Sequence, residues 1–292
     1  MPAIFYRCCR CWAAATGIYP QFFSLLKNIR FLLSLLCNVS VMGCVVPAVP
    51  ALAQQPVTTT QHKSGIEFAG ADIRTMQADD FANPGMLWVA RGEKLWNTPA
   101  GRSNKSCAAC HQDVSASMKG VAARYPRIDA ASGKVINIEG RINACRERQQ
   151  AADPLQYESE ELLALSAYVA HQSRGMPVAV AADPANRPHL ERGREIYYRR
   201  QGQMNLACTH CHEQNAGRKL LADTISEGHG NAYPAYRLEW QAIGSLHRRL
   251  RACYYGVRAV MPAFGSEELL DLELYLARRA TGLNVETPGV RR

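Results

Sequence analysis

Two short motifs combine residue types that can form covalent bonds and bind a metal. Both read Cys-x-x-Cys-His, and they occupy residues 107–111 and 208–212. In such a motif the two thiols can form thioethers to the vinyl groups of a haem, and the adjacent histidine binds the iron. One copy could arise by chance or hold zinc, but two copies that each follow a matching helical segment indicate two covalently attached haem c groups. The predicted cofactor-binding residues are Cys107, Cys110, His111, Cys208, Cys211 and His212.

The two motifs belong to a larger internal repeat. An offset of 101 residues aligns the haem motifs and the helical segments before them, and an offset of 107 or 108 aligns the segments that follow. The paired segments, first copy first, are 91–96 with 192–197, 141–145 with 249–253, and 159–163 with 266–270. Ser159 and Ser266 are good N-caps, and leucines at helical spacing follow both of them. The chain is therefore read as a tandem duplication.

This repeat predicts the fold class and the domain organisation. We expect a mainly α protein with two tandem cytochrome c-like domains and an extended N-terminal segment. Pro184 and Pro188 interrupt the helical pattern between the copies and indicate a linker. The predicted boundaries are a signal peptide at 1–53, the extended segment at 54–80, the first domain at 81–178, the linker at 179–188, and the second domain, which carries the active site, at 189–292.

The first 53 residues have the composition of an export signal. They contain four basic residues and no acidic ones, then an apolar run, and they end in the small-residue triplet at 51–53. A retained membrane anchor is the alternative, but Asn38, Pro47 and Pro50 interrupt the apolar run. We expect cleavage after Ala53, a periplasmic location and no membrane span in the mature chain. Removal of the signal lowers the formal charge from +9 to about +5.

The mature chain keeps two further cysteines, Cys145 and Cys253. A disulfide between them is the ordinary expectation for a leftover pair in an exported protein. However, both lie after a haem motif and both end the same pattern, Arg-x-x-x-Cys. We therefore favour thiolate ligation, with His111 and Cys145 on the first iron and His212 and Cys253 on the second.

Methionine ligation by Met261 is the alternative for the second iron. The residue paired with Met261 in the first copy is Pro154, which cannot bind iron, whereas both copies offer a cysteine. A thiolate ligand lowers the reduction potential of a haem and a methionine raises it. A redox titration in which both haems have high positive potentials would contradict thiolate ligation.

The second copy is more basic than the first around its leftover cysteine. If the segment is helical, Arg249 lies one turn before Cys253 on the same face, where it can pair with an anion that reaches the sulfur. We therefore expect the second haem to be the active centre. His189, His210 and His229 could also bind a metal, but each is better read as an ordinary surface histidine and none is assigned to a metal.

The chain resembles the dihaem SoxA family of bacterial thiosulfate oxidation. The resemblance rests on the two haem motifs, on Arg249-x-x-x-Cys253 ahead of the segment 264–269, and on the segment 173–177. It implies an L-cysteine S-thiosulfotransferase that joins thiosulfate to a cysteine of the SoxYZ sulfur carrier. It also implies a small SoxX-like monohaem cytochrome as heterodimer partner and a downstream cytochrome c acceptor. The catalytic residues that it implies are Cys253, which is both haem ligand and catalytic sulfur and is often a persulfide, and Arg249, which orients the thiosulfate.

Two rival functions use the same cofactors. A dihaem electron carrier would use Cys145 and Cys253 only to tune potential, and a dihaem peroxidase would need an open iron site, against which the two repeated cysteines argue. Nucleic acid binding is not expected, because no basic tract with interleaved aromatic residues occurs in the chain.

Overall fold

The computed structural model describes residues 62–292. The predicted signal peptide, 1–53, and residues 54–61 lie outside this range. Within 62–292, no helix combines the length and the apolar character needed to cross a membrane. These residues belong to one compact unit.

Helices dominate the described chain, and its strands are short. The helices are α1 (Ala71–Ala78), α2 (Met86–Asn97), α3 (Cys107–His111), α4 (Val114–Ser117), α5 (Ile138–Cys145), α6 (Glu160–His171), α7 (Arg187–Tyr198), α8 (Cys208–His212), α9 (Leu246–Gly256) and α10 (Glu267–Arg279). The strands are β1 (Arg127–Ile128), β2 (Val135–Ile136), β3 (Lys219–Leu220), β4 (Asp223–Thr224), β5 (Ala235–Arg237), β6 (Ala242–Gly244) and β7 (Gly289–Arg291). The expectation of a mainly α protein is confirmed for this part of the chain.

Two pairs of helices cross at glycine residues. Helix α2 packs on α6 at Gly92, where an added Cβ would lie 2.2 Å from the main-chain oxygen of Ala164. Helix α7 packs on α10 at Gly193, where an added Cβ would lie 2.1 Å from the main-chain oxygen of Asp271. Because any side chain would force the helices apart, both crossings require glycine. The crossings occur at equivalent positions of the predicted repeat.

The second helix of each pair provides the core. Ser159 caps α6 by accepting the N–H of Leu162 at 3.3 Å, and Ser266 caps α10 by accepting the N–H of Leu269 at 3.5 Å. The apolar stripes predicted on these helices are buried, as expected. Their members are Leu162, Leu165 and Val169 in α6 and Leu269, Leu272 and Leu276 in α10.

A hairpin followed by a helix also occurs twice. Strand β1 pairs antiparallel with β2, and β5 pairs antiparallel with β6 in the same register at an offset of 108 residues. The next residue after each hairpin, Asn137 or Ser245, caps the following helix through its side-chain oxygen. Helix α5 then ends at Cys145, and α9 carries Cys253 at the corresponding position. The offset therefore holds from the hairpin to the cysteine.

The segment predicted to be extended, 54–80, is partly helical, and that expectation is wrong for its described residues. A 3-10 turn at Gly65–Phe68 is followed by α1. Ile73 is 1% exposed and packs with Tyr236 and Val290. The apolar residues that face this cluster recur at helical spacing, which explains why the segment folds as it does. They are Ile66, Ala69, Ile73 and Met76.

The segment predicted to be a linker, 179–188, is mostly exposed and is anchored by two buried residues, Val180 and Asn186. Val178 and Val180 lie in a buried cluster with Leu274 and Val285, residues from the second copy. Pro188 lies in the first turn of α7, where its missing N–H breaks no helical hydrogen bond. Since the described residues form one unit, a boundary between two domains stays a prediction.

Candidate functional site

One cavity collects the chemically active residues of the first copy. Its volume is about 260 Å³, and its wall contains Cys107, Cys110 and His111 together with Cys145. The other wall residues are mainly apolar side chains and arginines, including Trp96, Val121, Ile138, Ile142, Leu165, Val169, Arg124, Arg127, Arg141 and Arg146. An apolar macrocycle with two carboxylates needs apolar walls, cations and, for haem c, two thiols beside a histidine. The residues present fit that cofactor.

The second copy brings the corresponding residues together. Cys253 and His212 are neighbours, since the imidazole acts to lower the pKa of the Cys253 thiol. Burial raises the pKa of the Cys208 thiol to about 12, and the neighbouring Cys253 thiol adds to this increase. Burial and Cys253 also raise the pKa of Cys211. The two motif thiols, the motif histidine and the leftover cysteine therefore form one cluster, which is the donor set expected for a second haem c.

The ring of His212 is held in a fixed orientation. Its Nδ1–H donates to the main-chain oxygen of Ser226 at 2.8 Å. Gly228, with φ of +76°, lies against the ring, and a Cβ at this position would be 2.7 Å from Cγ of His212. With Nδ1 occupied, Nε2 is the nitrogen available to a metal, which is the arrangement that orients metal-binding histidines in general.

The two arginines that precede the leftover cysteines have different partners. Arg141 donates to Asp129 Oδ1 at 2.8 Å and to the hydroxyl of Tyr125 at 3.1 Å. Arg148 adds a second ion pair to Asp129 at 3.0 Å. In contrast, the Arg249 side chain has no hydrogen bond or ion pair with any residue in 62–292. The first arginine is neutralised by the protein, and the second is available to an anion.

The electrostatic environments of the two cysteines differ in a way that matches the pairing of the two arginines. Burial raises the pKa of the Cys145 thiol. Burial also acts to raise that of Cys253, but the interaction with His212 and the positive charges of Arg249 and Arg237 outweigh it and lower the pKa to about 7. The second site therefore favours a sulfur anion.

Arg237 is a site residue that sequence reasoning missed. It is 6% exposed at the end of β5, its Nε donates to Glu239 at 2.7 Å, and its charge reaches Cys253. Its counterpart at the offset of 108 residues is Asp129, the acid that neutralises Arg141. The signal for this residue lies in the repeat. When the offset of 108 residues is extended back to 125–129 and 233–237, an acidic residue in the first copy aligns with a basic residue in the second.

The alternative ligands have less support from their surroundings. Met261 is 43% exposed. Met118 lines the first cavity, but its counterpart in the second copy is Ser226, so the repeat does not favour it. The choice of cysteine as the sixth ligand of both irons stays a prediction.

The three histidines that were not assigned to a metal all have protein partners, and that of His229 is Glu227 at 3.2 Å. His189 lies 2.6 Å from Asp271 Oδ1, and Nδ1 of His210 accepts the N–H of Ala207 at 3.0 Å. His229 was predicted to lie at the surface, and this is wrong, since it is only 7% exposed.

Known proteins resemble this chain over most of its length. A model of the family described as SoxA/TsdA, cytochrome c domain, matches residues 91–178. The L-cysteine S-thiosulfotransferase subunit SoxA of Pseudaminobacter salicylatoxidans is 46% identical over 78% of this chain and 80% of its own. The subunit of the same name from Paracoccus pantotrophus is 39% identical over 78% of each chain.

A solved structure agrees with these relatives. A chain in the crystal structure of SoxXA from P. pantotrophus superposes with a TM-score of 0.77 at 38% identity, covering 79% of this chain and 87% of that one. The match to a cytochrome c domain implies that the chain binds haem c. By these identities and coverages, the chain belongs to the SoxA family of L-cysteine S-thiosulfotransferase subunits.

Proposed function

We propose that this chain couples thiosulfate oxidatively to a cysteine of a SoxYZ sulfur-carrier protein and passes the electrons through haem c to a partner cytochrome. The observation that carries the proposal is the unpaired Arg249 beside Cys253, in a chain whose relatives are named L-cysteine S-thiosulfotransferase subunits. The names of the relatives favour this enzyme over an electron carrier without chemistry of its own.

Two covalently attached haem c groups complete the proposal, one in each of two tandem cytochrome c-like domains. Cys107, Cys110 and His111 would hold the first with Cys145 as sixth ligand, and the equivalent residues of the second copy, with Cys253, would hold the other. When bound, haem c supplies one-electron steps, which suit a reaction that releases two electrons. The apolar wall of the first cavity and the fixed ring of His212 support this assignment.

The overall reaction forms one sulfur–sulfur bond. The outer sulfur of thiosulfate joins the carrier sulfur to give a cysteine S-thiosulfonate, while the carrier thiol loses its proton and two electrons leave. Cys253 would act as the intermediate sulfur. It first forms a disulfide bond to the outer sulfur of thiosulfate, with loss of two electrons. The carrier thiolate then attacks that sulfur, the new bond forms, and the Cys253 thiolate leaves.

The arginines of the second site would bind and orient the substrate. Thiosulfate carries two negative charges, and a guanidinium binds a sulfonate-like group through two parallel N–H bonds. Arg249 lies one helical turn before Cys253 and has no acidic partner in the described chain. Arg237 adds positive charge although Glu239 pairs with it. Both arginines would also stabilise the sulfur anion that must form before the bond does.

The partners follow from the proposed reaction. The structure that resembles this chain is that of a SoxXA complex, so we propose a SoxX-like monohaem cytochrome as heterodimer partner and a further cytochrome c as electron acceptor. We also propose a periplasmic location, which suits an export signal and covalent haem attachment.

The test is a turnover assay with the purified heterodimer, SoxYZ carrier, thiosulfate and oxidised cytochrome c. The acceptor should take up two electrons for each carrier cysteine that gains a thiosulfonate group in its peptide mass. Arg249→Gln should weaken the rate at low thiosulfate, whereas Arg258→Gln, which removes an exposed charge from the turn after α9, should not. Acceptor reduction without any mass gain on the carrier would overturn the proposal and favour a plain electron carrier.

A further inference from the structure

Three potential metal ligands meet at a place that the haem chemistry does not use. His62 comes from the N-terminal segment, and Glu227 and His229 come from the loop between β4 and β5. One ligand atom from each residue lies within 4.8 Å of the others. Glu227 Oε2 lies 3.0 Å from Nδ1 of His62 and 3.2 Å from Nε2 of His229. The two imidazole rings are 5.1 Å apart between centroids.

His229 is the buried member of this cluster, and one of its ring nitrogens is not hydrogen-bonded. Its side chain is completely buried, and its Nδ1 has no hydrogen-bond partner within residues 62–292. Burial, and the nearby charge of Arg279, lower the pKa of His229 to about 4 in spite of Glu227. His229 is therefore a neutral imidazole near pH 7, and a neutral imidazole is the form that binds a metal. The same oxygen of Glu227 also faces His62 and accepts the N–H of Lys63 at 3.2 Å.

The donor set selects a class of ion. Two imidazoles and one carboxylate are ligands typical of zinc, and they leave a fourth position for water. Magnesium and calcium prefer oxygen ligands and are disfavoured by two nitrogens. The carboxylate of Glu227 offsets part of the charge of a dication, and the nearby Arg279 is itself paired with Glu213 at 3.4 Å.

The cluster belongs to the second copy alone. At the offset of 108 residues the counterparts of Glu227 and His229 are Lys119 and Val121, neither of which fits a zinc site. The residue before Glu227, Ser226, accepts the Nδ1–H of His212, and the residue after it, Gly228, lies against the His212 ring. The cluster is therefore built into the loop that orients His212.

We propose that His62, Glu227 and His229 form a zinc site that fastens the N-terminal segment to the loop that orients His212. The ion would join two parts of the chain that are 165 residues apart in sequence. The proposal does not depend on the thiosulfate chemistry, because it uses none of the residues to which that chemistry is assigned.

The test begins with the haem-loaded protein, since the thioether bonds then occupy the four motif thiols. The protein is stripped with a chelator, dialysed against limiting Zn²⁺, and analysed for zinc and iron by mass spectrometry. The wild type should bind one zinc ion per chain. His62→Ala, which changes a half-exposed side chain and leaves the core intact, and Glu227→Gln should both abolish stoichiometric binding. His171→Gln, outside the cluster, should leave it unchanged.

A second readout tests the fastening. Hydrogen exchange of residues 62–78 should slow when zinc binds to the wild type and should not respond to zinc in His62→Ala. Equal zinc binding by the wild type and His62→Ala would overturn the site. Stoichiometric binding that leaves the exchange of 62–78 unchanged would overturn the fastening of the segment.

Discussion

The sites around Cys145 and Cys253 have the same local architecture and differ in how the arginine before the cysteine is paired. Each has a hairpin, a capped helix and an arginine four residues before the cysteine. In the first site Asp129 neutralises Arg141 and Arg148 at 2.8 and 3.0 Å. In the second, the position of Asp129 is taken by Arg237, and no acid within 62–292 pairs with Arg249. One exchange of an acid for a base in the same register therefore separates a site whose arginine is paired from one whose arginine is available to an anion.

The cysteines respond to this difference, which suggests a division of labour. Burial raises the pKa of the Cys145 thiol, whereas that of the Cys253 thiol is lowered to about 7. We interpret the first site as suited to electron transfer and the second as suited to sulfur chemistry. Each of the following changes alters one side of the comparison.

The largest expected effect is that of Cys253→Met. Methionine can still bind iron through sulfur, but its thioether cannot form the disulfide bond to thiosulfate, so turnover should fall by at least about 10³-fold. The same change at Cys145 should cost far less, because we assign no bond-making role to that sulfur. Steady-state assays measure both, and the intact mass checks that both variants keep their haems. Full activity of Cys253→Met would rule out the bond-making role.

The second largest effect concerns the glycines at the two helix crossings, and it should be the same in both copies. Gly92→Ala and Gly193→Ala each place a methyl group 2.1–2.2 Å from a main-chain oxygen of the facing helix. The helices must move apart, which should lower the free energy of unfolding by about 3 kcal/mol in each variant. Urea titration followed by circular dichroism gives the values. A large loss in one copy and none in the other would mean that the two crossings are not equivalent.

The third prediction concerns a substitution that gives the second site the acidic residue of the first. Arg237→Asp places a carboxylate where Asp129 lies in the other copy, so it should pair with Arg249 and compete with thiosulfate. We expect the KM for thiosulfate to rise by about 10- to 100-fold, the worth of a hydrogen bond to a charged group, with a smaller change in kcat.

Arg237→Gln serves as the control for this change. It removes the charge of Arg237 without supplying an acid to Arg249, and the KM should therefore rise less than in Arg237→Asp. If the two variants have the same KM, the pairing of Arg249 does not govern substrate binding.

The sequence predicted the parts of the molecule that depend on short spacing. The haem motifs, the serine caps and the leucine stripes involve residues three or four positions apart, and the structure contains the predicted helices. The repeat also located the two cysteines, because both copies keep the Arg-x-x-x-Cys pattern.

The missing parts depend on contacts between distant residues. Asp129 reaches Arg141 only because a hairpin turns the chain back, and the role of Arg237 emerges only from comparison with that contact. The cluster of His62 with Glu227 and His229 joins segments that no periodicity connects. Helix α1 was missed although its apolar residues recur at helical spacing, because the helix is short and the residues that it contacts, Tyr236 and Val290, lie far along the chain.

The smallest expected effect concerns a position at which the two copies again differ. Glu139 in α5 corresponds to His247 in α9, and both are buried beside Glu273. Burial, with the charge of Glu273, raises the pKa of Glu139 from 4.5 to about 7. Burial alone would lower the pKa of His247, but the ion pair with Glu273, at 2.9 Å from Nε2 to Oε2, outweighs burial and raises it.

Both shifts make the folded state bind protons more strongly than the unfolded state. The stability that they contribute is therefore fully present at low pH and is lost as the pH rises, for Glu139 between about 4.5 and 7. Glu139→Gln should remove this loss and flatten the dependence by something on the order of 2 kcal/mol. Urea midpoints at pH 5 and pH 8 measure it, with Glu147→Gln, an exposed position two residues beyond the end of α5, as control. Identical pH dependence in the two variants would mean that Glu139 is not the group that titrates, and that the folded state does not hold a proton on its carboxyl group at neutral pH.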